Sequence, residues 1–197
     1  MPIRALILLG TLKKNEPSNT EVLSEFLLEK LRAKNVSCEL IKLVNCKILP
    51  GTYSDMGQGD EWPSILEKIL AAEIIIFATP IWWNSPSSEI QRVIERLDEI
   101  HDEILEGKKS KMAGKVGGVV ITGDPDGAQS VIGTVGNFFN FIGMVLPPYA
   151  TLSVLSALQR KDVETSREKL LELYRKDYAQ AADTMVEQLM LHAGRAV

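Results

Sequence analysis

A run of hydroxyl, amide and lysine side chains lies between residues 10 and 20, directly after the first apolar segment of the chain. It leads into a helical pattern, and the first N–H groups of a helix lack backbone partners while the helix dipole favours an anion. We therefore predict a phosphate site formed by Thr11, Lys13, Ser18, Asn19 and Thr20. The alternative is that Ser18 or Asn19 only caps the helix. The loop carries neither G-x-G-x-x-G nor G-x-x-x-x-G-K-[ST], which argues against a dinucleotide-type Rossmann site and against a P-loop.

Two adjacent tryptophans stand on a polar, proline-bounded loop, residues 79–86, that follows another apolar segment. Packing alone gives little reason for two large aromatic groups at the end of a strand. Their faces fit a planar ring, and backbone amides fit the polar edge of such a ring. We predict that the ring is held by Pro80, Ile81, Trp82, Trp83 and Asn84. The alternative is that one tryptophan packs under the next helix and the other lies at a subunit interface.

A third unusual loop, residues 122–129, is rich in glycine and aspartate. Small residues let a ligand approach the backbone closely. We therefore predict further ligand contacts from Thr122, Gly123, Asp124 and Gly127. Asp124 and Asp126 have the composition of a metal-binding pair, but Asp-Pro and Asp-Gly are common turn dipeptides, so a plain tight turn is the alternative. We predict no metal site.

Apolar runs and helical patterns alternate along the chain, which places each of these loops at the end of a strand. The apolar runs predict strands over residues 3–9, 36–44, 74–78, 116–121 and 144–146. Helical spacing predicts helices over residues 19–33, 61–71, 87–98, 128–142 and 162–192. Residues 101–115 are predicted to be an exposed polar connector.

This alternation predicts an α/β fold: a doubly wound, five-stranded parallel sheet of order 2-1-3-4-5 with helices on both faces. The length of 197 residues suits a single domain spanning residues 1–197. In such sheets a ligand binds beyond the carboxyl ends of the strands, where the strand order reverses. The three loops, which follow strands one, three and four, are therefore expected to meet there.

The composition of the chain argues against nucleic-acid-binding, membrane-spanning and metal-binding proteins. A net charge of −4 argues against a nucleic-acid partner, because such proteins usually present a basic face. No stretch approaches the roughly 20 apolar residues needed to cross a bilayer, and the first apolar run is too short for a secretory signal. We therefore expect a cytoplasmic protein with no membrane partner. With two cysteines and two histidines, a metal site has few ligands, and we expect Cys38 and Cys46 to be structural thiols.

Taken together, the three loops resemble the FMN-binding loops of the flavodoxin-like NAD(P)H-dependent FMN reductase and quinone reductase superfamily, over roughly residues 3–150. The middle loop is the most specific, because Thr79-Pro80-Ile81-Trp82-Trp83 is similar to the superfamily's TP-x-[YW] isoalloxazine loop. The phosphate loop is similar in Gly10-Thr11 and Ser18-Asn19-Thr20, and the third flavin loop in Thr122-Gly123. The chain departs from the superfamily by an insertion-like Lys14–Pro17 and lacks the cysteine cluster of its iron–sulfur branch.

The resemblance implies a flavodoxin-like fold, an FMN cofactor and NAD(P)H as co-substrate, in an oxidoreductase that passes electrons to a small acceptor such as a quinone or a flavin. The flavin would carry the redox chemistry, so no side chain is predicted as an acid–base catalyst. One alternative is a flavodoxin-type electron carrier without small-molecule turnover, although a charge of −4 is low for a carrier that docks on partner proteins. Another is a binding module that has lost the cofactor. The resemblance also implies a homodimer or higher homo-oligomer, for which Phe138, Phe139, Phe141 and the two adjacent tryptophans are candidate contacts.

Overall fold

Five parallel strands form one sheet in the computed structural model, which describes residues 2–123, 126–155 and 165–194. The strand order is 2-1-3-4-5, so the predicted topology is confirmed. The three central strands are buried almost throughout, because their continuous apolar runs are covered on both faces. The strands are β1 (Arg4–Leu9), β2 (Ser37–Lys42), β3 (Ile74–Pro80), β4 (Val116–Thr122) and β5 (Thr151–Val154).

Helices cover both faces of the sheet. The described helices are α1 (Asn19–Ala33), α2 (Trp62–Ala71), α3 (Ser88–Arg96), α4 (Asp98–Leu105), α5 (Ala128–Phe141), α6 (Arg167–Asp177) and α7 (Ala179–Ala193), with a 3-10 turn at Leu43–Asn45. Helices α1, α6 and α7 share one apolar core with the sheet. Helices α2, α3, α4 and α5 share the other. This two-sided arrangement is the doubly wound architecture that the alternation predicts.

The fifth strand does not lie where the sequence places it. The predicted segment 144–146 contributes only a single parallel bridge between Val145 and Val116. Two prolines follow it, and the chain turns so that the Ala150 N–H donates to the Pro147 carbonyl at 3.2 Å. Pairing with β4 resumes at Thr151, opposite Val119. Proline has no N–H for a sheet ladder, so the strand forms beyond the prolines, where polar and apolar residues alternate.

Two further segments differ from the prediction. Residues 101–115 are not wholly an exposed connector, because α4 occupies their first part. Lys115 is partly buried, and its Nζ donates to the Leu70 and Ala72 carbonyls at 2.7 Å each, which satisfies the end of α2. The predicted last helix is two helices, α6 and α7, that meet at Tyr178. Its predicted start near Asp162 lies outside the described residues.

Cys38 and Cys46 are free thiols in partly buried positions. Burial raises the pKa of both thiols. Their reactivity near neutral pH is therefore low, as expected for structural cysteines. Within the described residues, no three His, Cys, Asp or Glu side chains are grouped to hold a metal ion. In the same part of the chain, no helix is long and apolar enough to cross a bilayer.

Candidate functional site

The three predicted loops begin side by side at the carboxyl ends of β1, β3 and β4. Backbone pairing continues past the strand ends, with the Gly10 N–H donating to the Ala78 carbonyl at 2.7 Å. On the other side, the Ile81 N–H donates to the Thr122 carbonyl at 3.0 Å. The structure thus brings the loops together at the point where the strand order reverses, as the fold requires of a ligand site.

Ser18 is the N-cap of α1, and its hydroxyl accepts a hydrogen bond from the Glu21 N–H at 3.1 Å. This agrees with the capping alternative for Ser18. The N–H groups at the start of a helix point outward along its axis, and they have no acceptor within the helix. Asn19 and Thr20 supply the first of these groups. The start of α1 therefore presents backbone donors at the positive end of a helix dipole, which suits a phosphate.

The other two predicted phosphate ligands differ in their surroundings. Thr11 is buried, and its Oγ1 accepts from the Lys13 N–H at 3.2 Å, which shapes the loop. The Lys13 side chain is 58% exposed, and its Nζ lies 3.8 Å from the Glu16 carboxylate. An exposed pair of this kind is weak, so it does not hold the Lys13 side chain in place, and the predicted contact of Lys13 with a phosphate stays a prediction.

A buried hydroxyl pair joins the first loop to the third. Thr20 Oγ1 and Thr122 Oγ1 lie 2.6 Å apart, and both residues are 2% exposed. The Thr20 hydroxyl therefore bonds Thr122, while its backbone N–H stays in the first turn of α1. We call these two residues the threonine clasp. Both threonines are predicted site residues, but the hydrogen bond between them was not predicted.

The tryptophans lie on a two-residue β-hairpin turn. Trp82 and Ser85 exchange two backbone hydrogen bonds of 2.9 Å each. Trp83 and Asn84 between them have φ angles of 49° and 62°, which is the type I′ geometry. Asparagine tolerates this region, but a bulky residue such as tryptophan rarely adopts it. We call residues 82–85 the tryptophan hairpin.

The tryptophan hairpin is open to solvent. Trp83 is 96% exposed and Trp82 is 39% exposed. By contrast, the third tryptophan of the chain, Trp62, is fully buried. The prediction that the two adjacent tryptophans stand at the sheet edge agrees with the structure, and the alternative that one packs under the next helix does not fit Trp83.

Thr79 joins the two ends of the loop that carries the tryptophan hairpin. Its fully buried hydroxyl donates to the Pro80 carbonyl at 2.8 Å and accepts from the Ser87 N–H at 2.9 Å. Ser87 in turn caps α3, accepting from the Ile90 N–H at 3.4 Å. This role of Thr79 was not predicted, although Thr-Pro before the tryptophans and Ser-Pro-Ser after them are typical of a closed loop.

Gly10 is required by packing. A Cβ atom at this position would lie 2.5 Å from Ile90 Cγ1 and 2.6 Å from Ser87 Oγ. The start of α3 therefore fits against the backbone of the first loop. This close approach fixes the first loop relative to the tryptophan hairpin.

The glycines of the third loop let it pack under the tryptophan hairpin. Gly127 has a φ of 96°, and a Cβ there would lie 2.6 Å from Asn84 Oδ1. Gly123, with a φ of 145°, faces Ile81 in the same way, at 3.2 Å from its Cβ. These predicted site residues are thus brought together by backbone contact between the loops. Asp124 lies outside the described residues, so its predicted role stays a prediction.

An ion pair beneath the start of α1 was not predicted. Lys42 Nζ lies 2.9 and 3.1 Å from the two carboxylate oxygens of Glu21. Lys42 ends β2, directly opposite Leu9, the last residue of β1. The two side chains are 14% and 20% exposed, so the pair is partly shielded from water. A lysine at the end of a predicted strand was the only local signal for it.

The long loop after β2, residues 46–60, is fixed by a buried ion pair. Arg96 donates to Asp60 at 2.7 Å, and both side chains are fully buried. Arg96 also donates to the Leu49 and Tyr53 carbonyls, at 2.7 and 2.9 Å. We call this loop, with Arg96, the clamped loop.

Asp60 is held as a carboxylate. Burial acts to raise its pKa, but the hydrogen bond from Arg96 and those from the backbone N–H groups of Leu49, Met56 and Trp62 lower it by more. The net result is a pKa well below the usual range of an aspartate. The Arg96 guanidinium also lies over the Trp62 ring, 5.5 Å from its centroid.

Comparison with known proteins agrees with the loop resemblance. A family model described as NADPH-dependent FMN reductase matches residues 3–159. The chain is 33% identical over 153 residues to the divalent metal cation transporter MntH of Mycobacterium bovis (strain ATCC BAA-935 / AF2122/97), covering 75% of this chain and 22% of that protein. It is 31% identical over 160 residues to the 8-demethyl-8-aminoriboflavin-5′-phosphate synthase of Streptomyces davaonensis, covering 76% of this chain and 62% of that protein. The chain therefore spans less than two thirds of the length of either of these curated relatives.

The fold has a solved counterpart. A crystal structure of RosB with a bound intermediate, 8-demethyl-8-formylriboflavin-5′-phosphate, matches with a TM-score of 0.80 at 25% identity. The match covers 98% of this chain and 79% of that one. The flavodoxin-like character of the sheet is therefore confirmed.

The residues at the carboxyl edge of the sheet fit FMN. The start of α1 offers N–H donors to a phosphate, and Thr11 lies in the loop that leads to it. The tryptophan hairpin offers aromatic surface, and the nearby loop backbone offers polar groups, to a flat heteroaromatic ring. This donor set matches the two chemically different ends of a flavin mononucleotide.

Proposed function

The chain belongs to the NADPH-dependent FMN reductase family, and we propose that it is an FMN-dependent oxidoreductase that takes a hydride from NAD(P)H and passes the electrons to a small acceptor, such as a quinone or a free flavin. When bound, the flavin supplies the redox chemistry. The side chains of the protein bind and orient the reactants. We assign no acid–base catalyst to the chain.

The exposed tryptophan hairpin carries this proposal. A tryptophan that is 96% exposed in a strained backbone conformation contributes little to folding. Exposed aromatic surface beside a ring site suits the stacking of a second flat molecule, such as a nicotinamide or a quinone. An electron carrier that meets only partner proteins has no need for such a platform. We therefore propose that Trp82 and Trp83 form the wall against which small substrates stack.

The phosphate of FMN is assigned to the start of α1. Its first N–H groups and the Thr11 hydroxyl are the donors, and the threonine clasp keeps α1 in register with β4. The ring is assigned to residues 80–84 and to the backbone at Thr122 and Gly123. Both assignments are proposals built on the closeness of the three loops.

The test is steady-state turnover of the purified chain. Absorbance first establishes that FMN is bound. NAD(P)H oxidation is then measured with a quinone and with added flavin as acceptors. We expect saturable turnover with at least one small acceptor. Bound FMN with no turnover above the rate of free FMN would instead assign the chain to the electron carriers.

A second candidate rests on the likeness to RosB. One relative is named 8-demethyl-8-aminoriboflavin-5′-phosphate synthase, and the RosB structure holds the intermediate 8-demethyl-8-formylriboflavin-5′-phosphate. In this chain the flavin itself would then be the substrate. Mass spectrometry of the bound flavin after incubation in air with an amine donor separates the two: an unchanged FMN supports the reductase, and an altered ring supports the second candidate.

We also propose that the chain forms a homo-oligomer and binds neither nucleic acid nor membranes. Of the three candidate phenylalanines, Phe139 is buried and Phe138 is partly buried. Phe141 is 59% exposed and is the one left for an interface. Light scattering on the wild type and on Phe141→Ser measures the mass directly, and a monomeric wild type would contradict the proposal.

A further inference from the structure

Glu21 places a negative charge in the turn of α1 that is assigned to the phosphate. Its backbone N–H bonds the cap residue Ser18, so the carboxylate belongs to the first turn of the helix. An acidic residue here stabilises an empty helix, because it complements the helix dipole. A phosphate dianion at the same turn would instead be repelled by it. The site therefore needs a means of neutralising Glu21.

Lys42 meets this need. Its ammonium contacts both carboxylate oxygens, and the pair is mostly shielded from solvent. The register places Lys42 beside Leu9, one residue before Gly10 opens the phosphate loop. Neighbouring strands lie roughly 5 Å apart, so the ammonium is at the same edge of the sheet as the loop. Charges in such a partly buried place are screened less by salt than charges on the surface.

We infer that Lys42 is a positioning residue for the cofactor: by pairing with Glu21, it lets the start of α1 accept a phosphate dianion. The inference rests on the proposed placement of the phosphate at this helix. Lys13 does not neutralise Glu21, because its side chain is 58% exposed and its Nζ faces Glu16 at 3.8 Å. Lys42 therefore sets the preference for FMN over riboflavin, which carries the same ring without the phosphate.

The experiment uses the full chain freed of flavin and titrated with FMN or riboflavin, with flavin fluorescence as the readout. The variants are Lys42→Gln, Glu21→Gln, the double variant and Lys42→Arg. Lys68→Gln is the matched control. Lys68 lies on α2, on the opposite face of the sheet from α1, and its substitution removes an equal charge from an exposed ion pair with Glu39. Thermal melts of each variant accompany the titrations.

We expect Lys42→Gln to weaken FMN binding by about tenfold, which corresponds to about 1.4 kcal/mol, and to leave riboflavin binding unchanged. Neutralising Glu21 as well restores FMN binding, Lys42→Arg keeps it, and Lys68→Gln has no effect. The loss in Lys42→Gln shrinks only slightly as salt is added, because the pair is partly buried.

Three results would overturn the inference. Equal loss of FMN and riboflavin in Lys42→Gln would mean that the pair only supports the loop. Unchanged FMN binding would mean that Lys42 does not matter for the phosphate. A double variant as weak as Lys42→Gln would make Lys42 a direct phosphate contact with no role for Glu21. If the wild type binds both flavins equally, the placement of the phosphate itself fails, and that outcome is visible before any variant is made.

Discussion

The clamped loop and the tryptophan hairpin lie on the same sheet but are built in opposite ways. The clamped loop is long and polar, yet a fully buried ion pair and two hydrogen bonds from Arg96 to backbone carbonyls hold it. The tryptophan hairpin is short and carries large aromatic groups, yet one of these is almost entirely in solvent, in a backbone region that tryptophan rarely adopts. The first region uses polar groups for stability. The second keeps apolar groups where stability does not require them, and such a departure marks function.

Breaking the buried ion pair should have the largest effect on folding. Arg96→Met leaves the Asp60 carboxylate buried without its cation, so we expect the free energy of unfolding to fall by about 3–5 kcal/mol. Arg175→Met is the matched control, because Arg175 pairs with Glu29 on the exposed surface and its loss should cost less than about 1 kcal/mol. Urea unfolding of both variants measures the difference. Equal losses of unfolding free energy in the two variants would mean that the buried ion pair does not stabilise the clamped loop more than a surface pair would.

Acid should weaken the clamped loop selectively. The folded-state pKa of Asp60 is lowered, so its carboxylate stabilises the fold above its unfolded-state pKa of about 3.9 and loses this contribution as the pH falls below it. We expect wild-type stability to fall progressively as the pH drops below about 4 toward the folded-state pKa of Asp60. In Asp60→Asn, which starts from a lower stability, the slope should be flatter. Some acid dependence stays in both proteins, because the pKa values of Glu73 and Glu99 are lowered as well.

Substituting Thr79 at the base of the tryptophan hairpin should have an intermediate effect on the free energy of unfolding. Thr79→Val keeps the shape of the side chain but leaves the Ser87 N–H without its acceptor, at a cost of about 1–3 kcal/mol. Because the loop is then less well held, we expect the KM for NAD(P)H to rise as well. Thr79→Ser retains the hydroxyl and should retain the KM. A normal KM in Thr79→Val would limit Thr79 to a folding role.

The tip of the tryptophan hairpin should have the smallest effect on stability. In Trp83→Gly the φ angle of 49° is no longer strained, so we expect the free energy of unfolding to change by less than about 0.5 kcal/mol. Turnover with NAD(P)H should nevertheless fall several-fold. Trp62→Ala gives the contrast, since truncating a buried tryptophan typically costs about 3–5 kcal/mol. Normal turnover in Trp83→Gly would contradict the proposal that small substrates stack against Trp83.

Local sequence patterns predicted the sheet order and the three loops, because apolar runs and helical spacing are local signals. They misplaced the fifth strand, since Thr151–Val154 alternates polar and apolar residues while the segment before the two prolines is more apolar. The contacts that organise the site were largely missed. The threonine clasp, the Lys42–Glu21 pair and the Arg96–Asp60 pair each join residues that are far apart in the chain. Tertiary contacts of this kind leave no periodic trace in a sequence.

The threonine clasp has a consequence for the order of folding. It joins residues 102 positions apart, so α1 cannot be fastened to β4 until more than half of the chain has been built into the sheet. Contacts of such high sequence separation form late, because the entropy of closing a long loop is lost before the contact repays it. A chain that has folded only as far as β3 therefore has the loops after β1 and β3, but it lacks the loop after β4 that completes the flavin site. We therefore expect FMN to bind after β4 has joined the sheet, and to stabilise the finished fold by mass action.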